Sequence, residues 1–130
     1  FIIIPGVALK SVMESAQFIE FQYRRLAEDF DIYVFDRCED MPELYSIYDM
    51  ADDTIKAIET LDLKNAVIYG VSQGGMIAQT IAVRRPDLVS RLILCSTASF
   101  LRLISAYRVL PKAVLILQLS MTAISLKLIS

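Results

Sequence analysis

The feature that most constrains this chain is the stretch Ala66-Val67-Ile68-Tyr69-Gly70-Val71-Ser72-Gln73-Gly74-Gly75-Met76, an apolar run that breaks on Gly-x-Ser-x-Gly-Gly. Asn65 to Tyr69 has strand composition, and Gln73 to Arg85 carries Met76, Ile77, Thr80 and Ile81 at helical spacing. The stretch therefore reads as strand, tight turn and helix. Such a turn brings the positions two before and two after the serine so close that side chains there would collide. Gly70 and Gly74 remove them. Ser72 is then held in a strained backbone conformation at a helix N-terminus, with its hydroxyl above the sheet. There, backbone N–H groups and the helix dipole favour a developing oxyanion. Ser72 is the candidate nucleophile; a glycine-rich turn with a merely solvated serine is the alternative.

The rest of the chain alternates in the same way. Phe1-Ile2-Ile3-Ile4 reads as a strand that Pro5-Gly6 ends, and Ser11-Val12-Met13-Glu14 has the form of a capping box. Val12, Ala16, Ile19, Tyr23, Leu26 and Phe30 then recur at steps of three and four, which predicts a helix with one buried stripe. Its solvated face is Glu20, Arg24, Arg25 and Glu28. Ile32-Tyr33-Val34-Phe35 is a second strand, ending at Asp36-Arg37. Ser46 and Asp49 offer another cap, for a helix to about Leu61 with Ile47, Met50, Ala51, Thr54, Ile58 and Leu61 as its buried stripe. Asp49, Asp52 and Asp53 lie where a helix dipole favours carboxylates. A metal site is the other reading of that cluster, and the lack of a nearby His or glycine-bearing loop speaks against it. Arg84-Arg85-Pro86-Asp87 stops the helix after Ser72, and a further strand centres on Leu92-Ile93-Leu94.

Alternating strands and helices predict an α/β fold, a parallel sheet of about four strands with helices on both faces. Ligand chemistry in such a sheet belongs at the carboxyl ends of the strands, where Gly6, Asp36, Ser72 and Ser96 fall. With 130 residues, 55% of them hydrophobic, there is material for one filled core. Charge is uneven along the chain. All fifteen carboxylates lie at or before Asp87, against eight basic residues, while the remainder holds five basic residues and no acidic one. Neither part has a basic run interleaved with aromatics, so no nucleic-acid partner is expected. Cys38 and Cys95 match no metal spacing and are too few for a disulfide scaffold, which fits bystander thiols in a reducing, cytoplasmic setting. The first residues lack a charged region followed by a small-residue cleavage site, so no signal peptide is expected.

From Ala98 the character changes. Residues 113–126, between Lys112 and Lys127, are fourteen uncharged positions, short of the roughly 20 that cross a bilayer. The expectation is an apolar helical tail or lid over 100–130, with an interfacial membrane segment as the alternative.

Taken in order, Ile2-Ile3-Ile4-Pro5-Gly6, Ile32-Tyr33-Val34-Phe35-Asp36-Arg37, Tyr45-Ser46-Ile47-Tyr48-Asp49-Met50-Ala51-Asp52-Asp53, Gly70-Val71-Ser72-Gln73-Gly74-Gly75-Met76 and Arg91-Leu92-Ile93-Leu94 resemble the alpha/beta hydrolase superfamily. The similarity leans toward its small bacterial esterase, lactonase and carbon–carbon hydrolase branch. It covers residues 1–99 as a partial core domain, and 100–130 sit where the family inserts its cap. Because the first block resembles the family's third strand, the resemblance implies that two earlier strands and at least two later ones are missing.

The resemblance further implies that Ser72 is the nucleophile and that the backbone N–H of Gln73 is one oxyanion donor. The second donor would come from the loop after the first strand, at Val7, with Gly70, Gly74 and Gly75 forming the turn. Where the family usually has His-Gly, this chain has Pro5-Gly6. No cofactor or metal is implied, and the partner is a small acyl substrate. Yet the chain contains no histidine, and no carboxylate follows Asp87. A serine hydroxyl is a weak nucleophile without a base, so the chain as it stands is expected to be an inactive portion of a serine hydrolase. Two other readings stay open. One is a non-catalytic relative that uses the pocket for binding. The other is a nucleotide-binding doubly wound domain, since Gly70-x-Ser72-x-x-Gly75 resembles a dinucleotide fingerprint, although Cys95-Ser96 stands where an acidic residue would close the next strand. Unpaired sheet edges also predict self-association.

Overall fold

The computed structural model describes residues 1–7, 11–36, 38 and 40–98 in full, and the strand backbone over 114–120 and 123–129. Its strands are β1 (Ile2–Ile4), β2 (Tyr33–Val34), β3 (Ala66–Val71), β4 (Val89–Cys95), β5 (Val114–Ser120) and β6 (Ala123–Ile129). Its helices are α1 (Ala16–Tyr23), α2 (Ile47–Thr60) and α3 (Gln73–Arg84). The strands form one sheet in the order β2-β1-β3-β4-β5-β6. All neighbours from β2 to β5 are parallel, as helical crossovers demand, and only β6 runs antiparallel.

Side chains alternate across β3, so Ala66, Ile68 and Gly70 are buried while Val67, Tyr69 and Val71 are half-buried. The first set faces α2 and α3 in a core that includes Ile2, Ile4, Ile58, Ile81 and Leu92. Ile58, Ile68, Ile81 and Leu92 are fully excluded from solvent, each contributing about 1.5–3 kcal/mol of burial. On the opposite face Tyr23 of α1 meets Tyr69 with ring centroids 6.5 Å apart, and Phe1 packs between Phe30 and Tyr69. Helices thus cover both faces of a parallel sheet, as the alternation predicts.

The caps explain where the helices start. Ser46 and Asp49 close a full capping box on α2, each side chain bonded to the other's backbone N–H. The three aspartates in that region serve structure. Asp49 caps, Asp52 pairs with Arg84 at 2.5 Å, and Asp53 accepts from Tyr45 at 2.5 Å and pairs with Lys56. At Ser11 the hydroxyl caps the turn by accepting from the Met13 N–H at 3.1 Å, and the Glu14 N–H donates to the Ser11 carbonyl at 3.2 Å. The expected helix over 12–30 is divided into a 3₁₀ turn at Val12–Ser15, α1, and a second 3₁₀ turn at Leu26–Glu28. None of its residues is fully buried, and Ala16 of the expected stripe is exposed. Val12, Ile19, Tyr23 and Leu26 of the stripe are half-buried, whereas Phe18 and Phe21 stand largely exposed.

The tail is the main correction. A helix was expected over 113–126, but the backbone there forms β5 and β6, so the sheet has six strands rather than about four. Continuous apolar runs have no period that separates a buried helix from a buried strand. Two signals favour strand: the β-branched Val114 and Ile116, and the alternation Ile124-Ser125-Leu126-Lys127-Leu128, which suits an antiparallel edge. The expected boundary at 99–100 lies outside the described residues.

Candidate active site

Ser72 has φ 52° and ψ −117°, a region that non-glycine residues rarely enter and that costs on the order of 1–3 kcal/mol. Such a conformation persists only where its surroundings hold it. The Ser72 N–H donates to the Cys95 carbonyl at 2.9 Å, and its carbonyl accepts from the Gly75 N–H at 3.0 Å and the Thr97 hydroxyl at 2.6 Å. The Ser72 side chain makes no capping bond to α3 and is exposed. Its oxygen therefore stands at the helix N-terminus, outside the packed core.

The glycines make this turn possible, in a way only partly expected. A β-carbon on Gly70 would lie 2.6 Å from the Gly74 carbonyl oxygen and 2.7 Å from the Gly75 α-carbon, so this position does meet the return arm of the turn. Gly74 instead faces strand β1, where a β-carbon would sit 2.0 Å from the Ile4 carbonyl oxygen and 2.5 Å from that of Pro5. Gly75 faces Thr97, with a β-carbon 2.5 Å from its side chain. Three different neighbours thus require three small residues.

The loop after β1 closes on the serine. The register pairs Ile4 with Gly70, and a β-carbon on Gly6 would lie 3.8 Å from Ser72 Oγ. Val7 follows at the open side, 65% exposed. Gln73 begins α3 and, with Gly6 and Asp36, lines a cavity of about 240 Å³ that also includes Phe35, Tyr45 and Ile77. Asp36 accepts from the Ser11 hydroxyl and from the Val12 N–H at 3.0 Å, which ties the far end of the Val7 loop to the end of β2. Near the cavity, burial and the bond to Asp53 push the Tyr45 phenol well above its ordinary range, and that bond holds the Asp53 carboxyl below its own. Cys38 is exposed and Cys95 is buried, and both are free thiols. Among the described residues, no group of three or more His, Cys, Asp or Glu is placed to hold a metal ion. No helix among them is long and apolar enough to cross a membrane.

Two residues at the site were not singled out from sequence. Gln79 is buried, and its amide donates to the Gly75 carbonyl at 3.1 Å and the Ala98 carbonyl at 3.0 Å. Thr97 bonds the Ser72 carbonyl, as above. The available signal was Gln79 itself, a polar residue in a helix facing the core, because such groups are buried only when bonded.

A parallel sheet whose third strand in chain order ends on a strained, glycine-walled serine and enters a helix defines the alpha/beta hydrolase class. A model of that class, described as the alpha/beta hydrolase fold, matches residues 1–117, and the chain belongs to that family. It is 36% identical over 84 residues to carbamate hydrolase RutD of Rhizobium rhizogenes, covering 60% of this chain and 32% of that protein. Among solved structures, a hydrolase from Pseudomonas aeruginosa superposes with TM-score 0.64 at 20% identity, over 77% of this chain and 38% of the other. The enol-lactonase from Burkholderia xenovorans gives TM-score 0.61 at 25% identity, over 75% of this chain and 38% of the other. The chain thus spans a third or a little more of the length of these proteins. With the family shown, the dinucleotide-fingerprint reading of Gly70 to Gly75 is dropped.

Proposed function

We propose that this chain is the nucleophile-bearing portion of a serine hydrolase that cleaves a small ester, lactone or related acyl compound. The observation that carries the reading is the backbone of Ser72, a non-glycine residue at φ 52° with an exposed side chain at the start of α3. In the reaction, Ser72 Oγ attacks the acyl carbonyl. The developing oxyanion takes hydrogen bonds from the backbone N–H groups of Gln73 and Val7, and Gly70, Gly74 and Gly75 keep the turn tight enough to present the hydroxyl. Collapse of the tetrahedral intermediate breaks the acyl C–O bond and expels the alcohol, which leaves with the proton taken from Ser72. Water then hydrolyses the acyl-serine to release the acid and restore the hydroxyl.

The proton from Ser72 needs a base, and the chain contains no histidine. By this reading the base and its orienting carboxylate belong to a longer gene product, and the chain alone is inactive. The carbamate-hydrolase and enol-lactonase names of its relatives support an acyl substrate. A cytoplasmic setting and self-association of the chain through its sheet edges are part of the same proposal.

The missing base favours a second reading, a relative that binds an acyl ligand without turning it over. The test is to treat the full-length gene product with a fluorophosphonate and to assay ester and lactone turnover. Labelling at Ser72 that is lost in Ser72→Ala, together with turnover, supports the hydrolase. Absence of labelling in the full-length protein sinks it.

A further inference from the structure

The strain at Ser72 must be held from outside the turn, and the bonds that hold it come largely from one place. Strand β4 and the residues after it supply the Cys95 carbonyl to the Ser72 N–H at 2.9 Å and the Thr97 hydroxyl to the Ser72 carbonyl at 2.6 Å. With the Gly75 N–H at 3.0 Å, the Ser72 carbonyl has a partner for each of its two lone pairs. Gly75 matters because of Thr97, whose side-chain atoms would lie 2.5–2.7 Å from any β-carbon at position 75. The glycine leaves the space through which the threonine hydroxyl reaches the turn. Gln79, buried in α3, then fastens the Ala98 carbonyl to the helix and keeps the 97–98 segment against it.

We infer that Thr97 is a positioning residue, whose hydroxyl locks the Ser72 peptide in its left-handed state and so aims the Ser72 hydroxyl. The Cys95 bond alone leaves the carbonyl end of Ser72 free to rotate, and the Gly75 N–H moves with the turn it is meant to restrain. Thr97 is the side-chain anchor that lies outside the turn. The catalytic consequence rests on the reading of Ser72 as nucleophile, but the conformational consequence does not.

The test uses the full-length gene product and two variants. Thr97→Val keeps the shape and removes the donor, whereas Thr97→Ser keeps the donor and loses a methyl. Thr97→Ala replaces the valine variant if that one does not fold, with thermal melting as the check. Two quantities are measured: amide hydrogen exchange at Ser72 and Gly75 against Ile81 in the interior of α3, and the second-order rate of fluorophosphonate labelling. A misplaced nucleophile can cost about 100-fold, so Thr97→Val should lower labelling by roughly 10- to 100-fold, and Thr97→Ser should restore most of it. Exchange at Ser72 and Gly75 should rise by about fivefold or more in the valine variant alone, with Ile81 unchanged.

Unchanged exchange at Ser72 and Gly75 in Thr97→Val overturns the inference, whatever the labelling does. If the wild-type protein does not label at all, the hydrolase reading fails and exchange alone decides the role of Thr97. If exchange responds but labelling does not, the lock is conformational only and the aiming role is overturned.

Discussion

Gly74 and Ile4 approach so closely that a β-carbon at position 74 would lie 2.0 Å from the Ile4 carbonyl oxygen. This contact joins the serine turn to the end of β1, and hence to the loop that carries Val7. Both partners are backbone, one at the start of a helix and the other at the end of a central strand. Neither has a side chain that can swing aside. Gly74→Ala should therefore lower stability by about 3 kcal/mol or more, read as the urea midpoint of the folded protein. An alanine variant as stable as wild type would mean that this approach is not as close as described.

Ser72 separates stability from chemistry. Its side chain makes no capping bond, so Ser72→Ala should leave stability within about 0.5 kcal/mol while abolishing fluorophosphonate labelling of the full-length protein. Ser72→Gly should go further. Glycine enters the φ 52° region without the strain, so this variant should melt higher by ~1 kcal/mol and still fail to label.

The cap of α2 gives a pH dependence. The hydroxyl of Ser46 holds the Asp49 carboxyl below its ordinary 3.8. A carboxyl whose folded pKa is depressed contributes stability that is fully present above the ordinary value and is lost as pH falls through the folded one. Asp49→Asn should accordingly destabilise the fold at neutral pH, and its difference from wild type should shrink when both are unfolded well below 3.8. Ser46→Ala removes the reciprocal bond and should cost about 1 kcal/mol at neutral pH.

The sheet ends on β2 at one side and β6 at the other. A β6 of composition Ala-Ile-Ser-Leu-Lys-Leu-Ile carries one charge to discourage pairing with a second copy. In light scattering after size exclusion the chain should therefore run as a dimer or larger species. A monodisperse monomer across the concentrations tested would overturn this.

Much of the core was legible because local pattern and tertiary position agree there. The apolar run before Gly70 has to be a strand, since the turn that follows leaves no room for anything else. Ser46 and Asp49 satisfy each other's backbone within one turn, so α2 starts where its residues alone place it. The tail differs for the opposite reason: the unbroken apolar run at 113–117 suits a buried helix as well as a strand, and β5 becomes a strand because β4 offers it a parallel edge. The expected helix at 12–30 is longer and its stripe more buried than the structure shows, because half-covered apolar residues look the same in sequence as fully covered ones.

From the chain alone came the strand-turn-helix around Ser72, the alternation that makes the sheet parallel and the lack of an imidazole to serve the serine. These follow from spacing, residue size and counting, which need no partner to be known. Only the folded molecule decided what each glycine makes room for, and which atoms hold Ser72 in its strained state. Residues 74 and 4, or 72 and 97, are far apart along the chain, and a contact that ends on a backbone carbonyl leaves little trace in side-chain pattern. Their distances arise only when the strands are brought side by side.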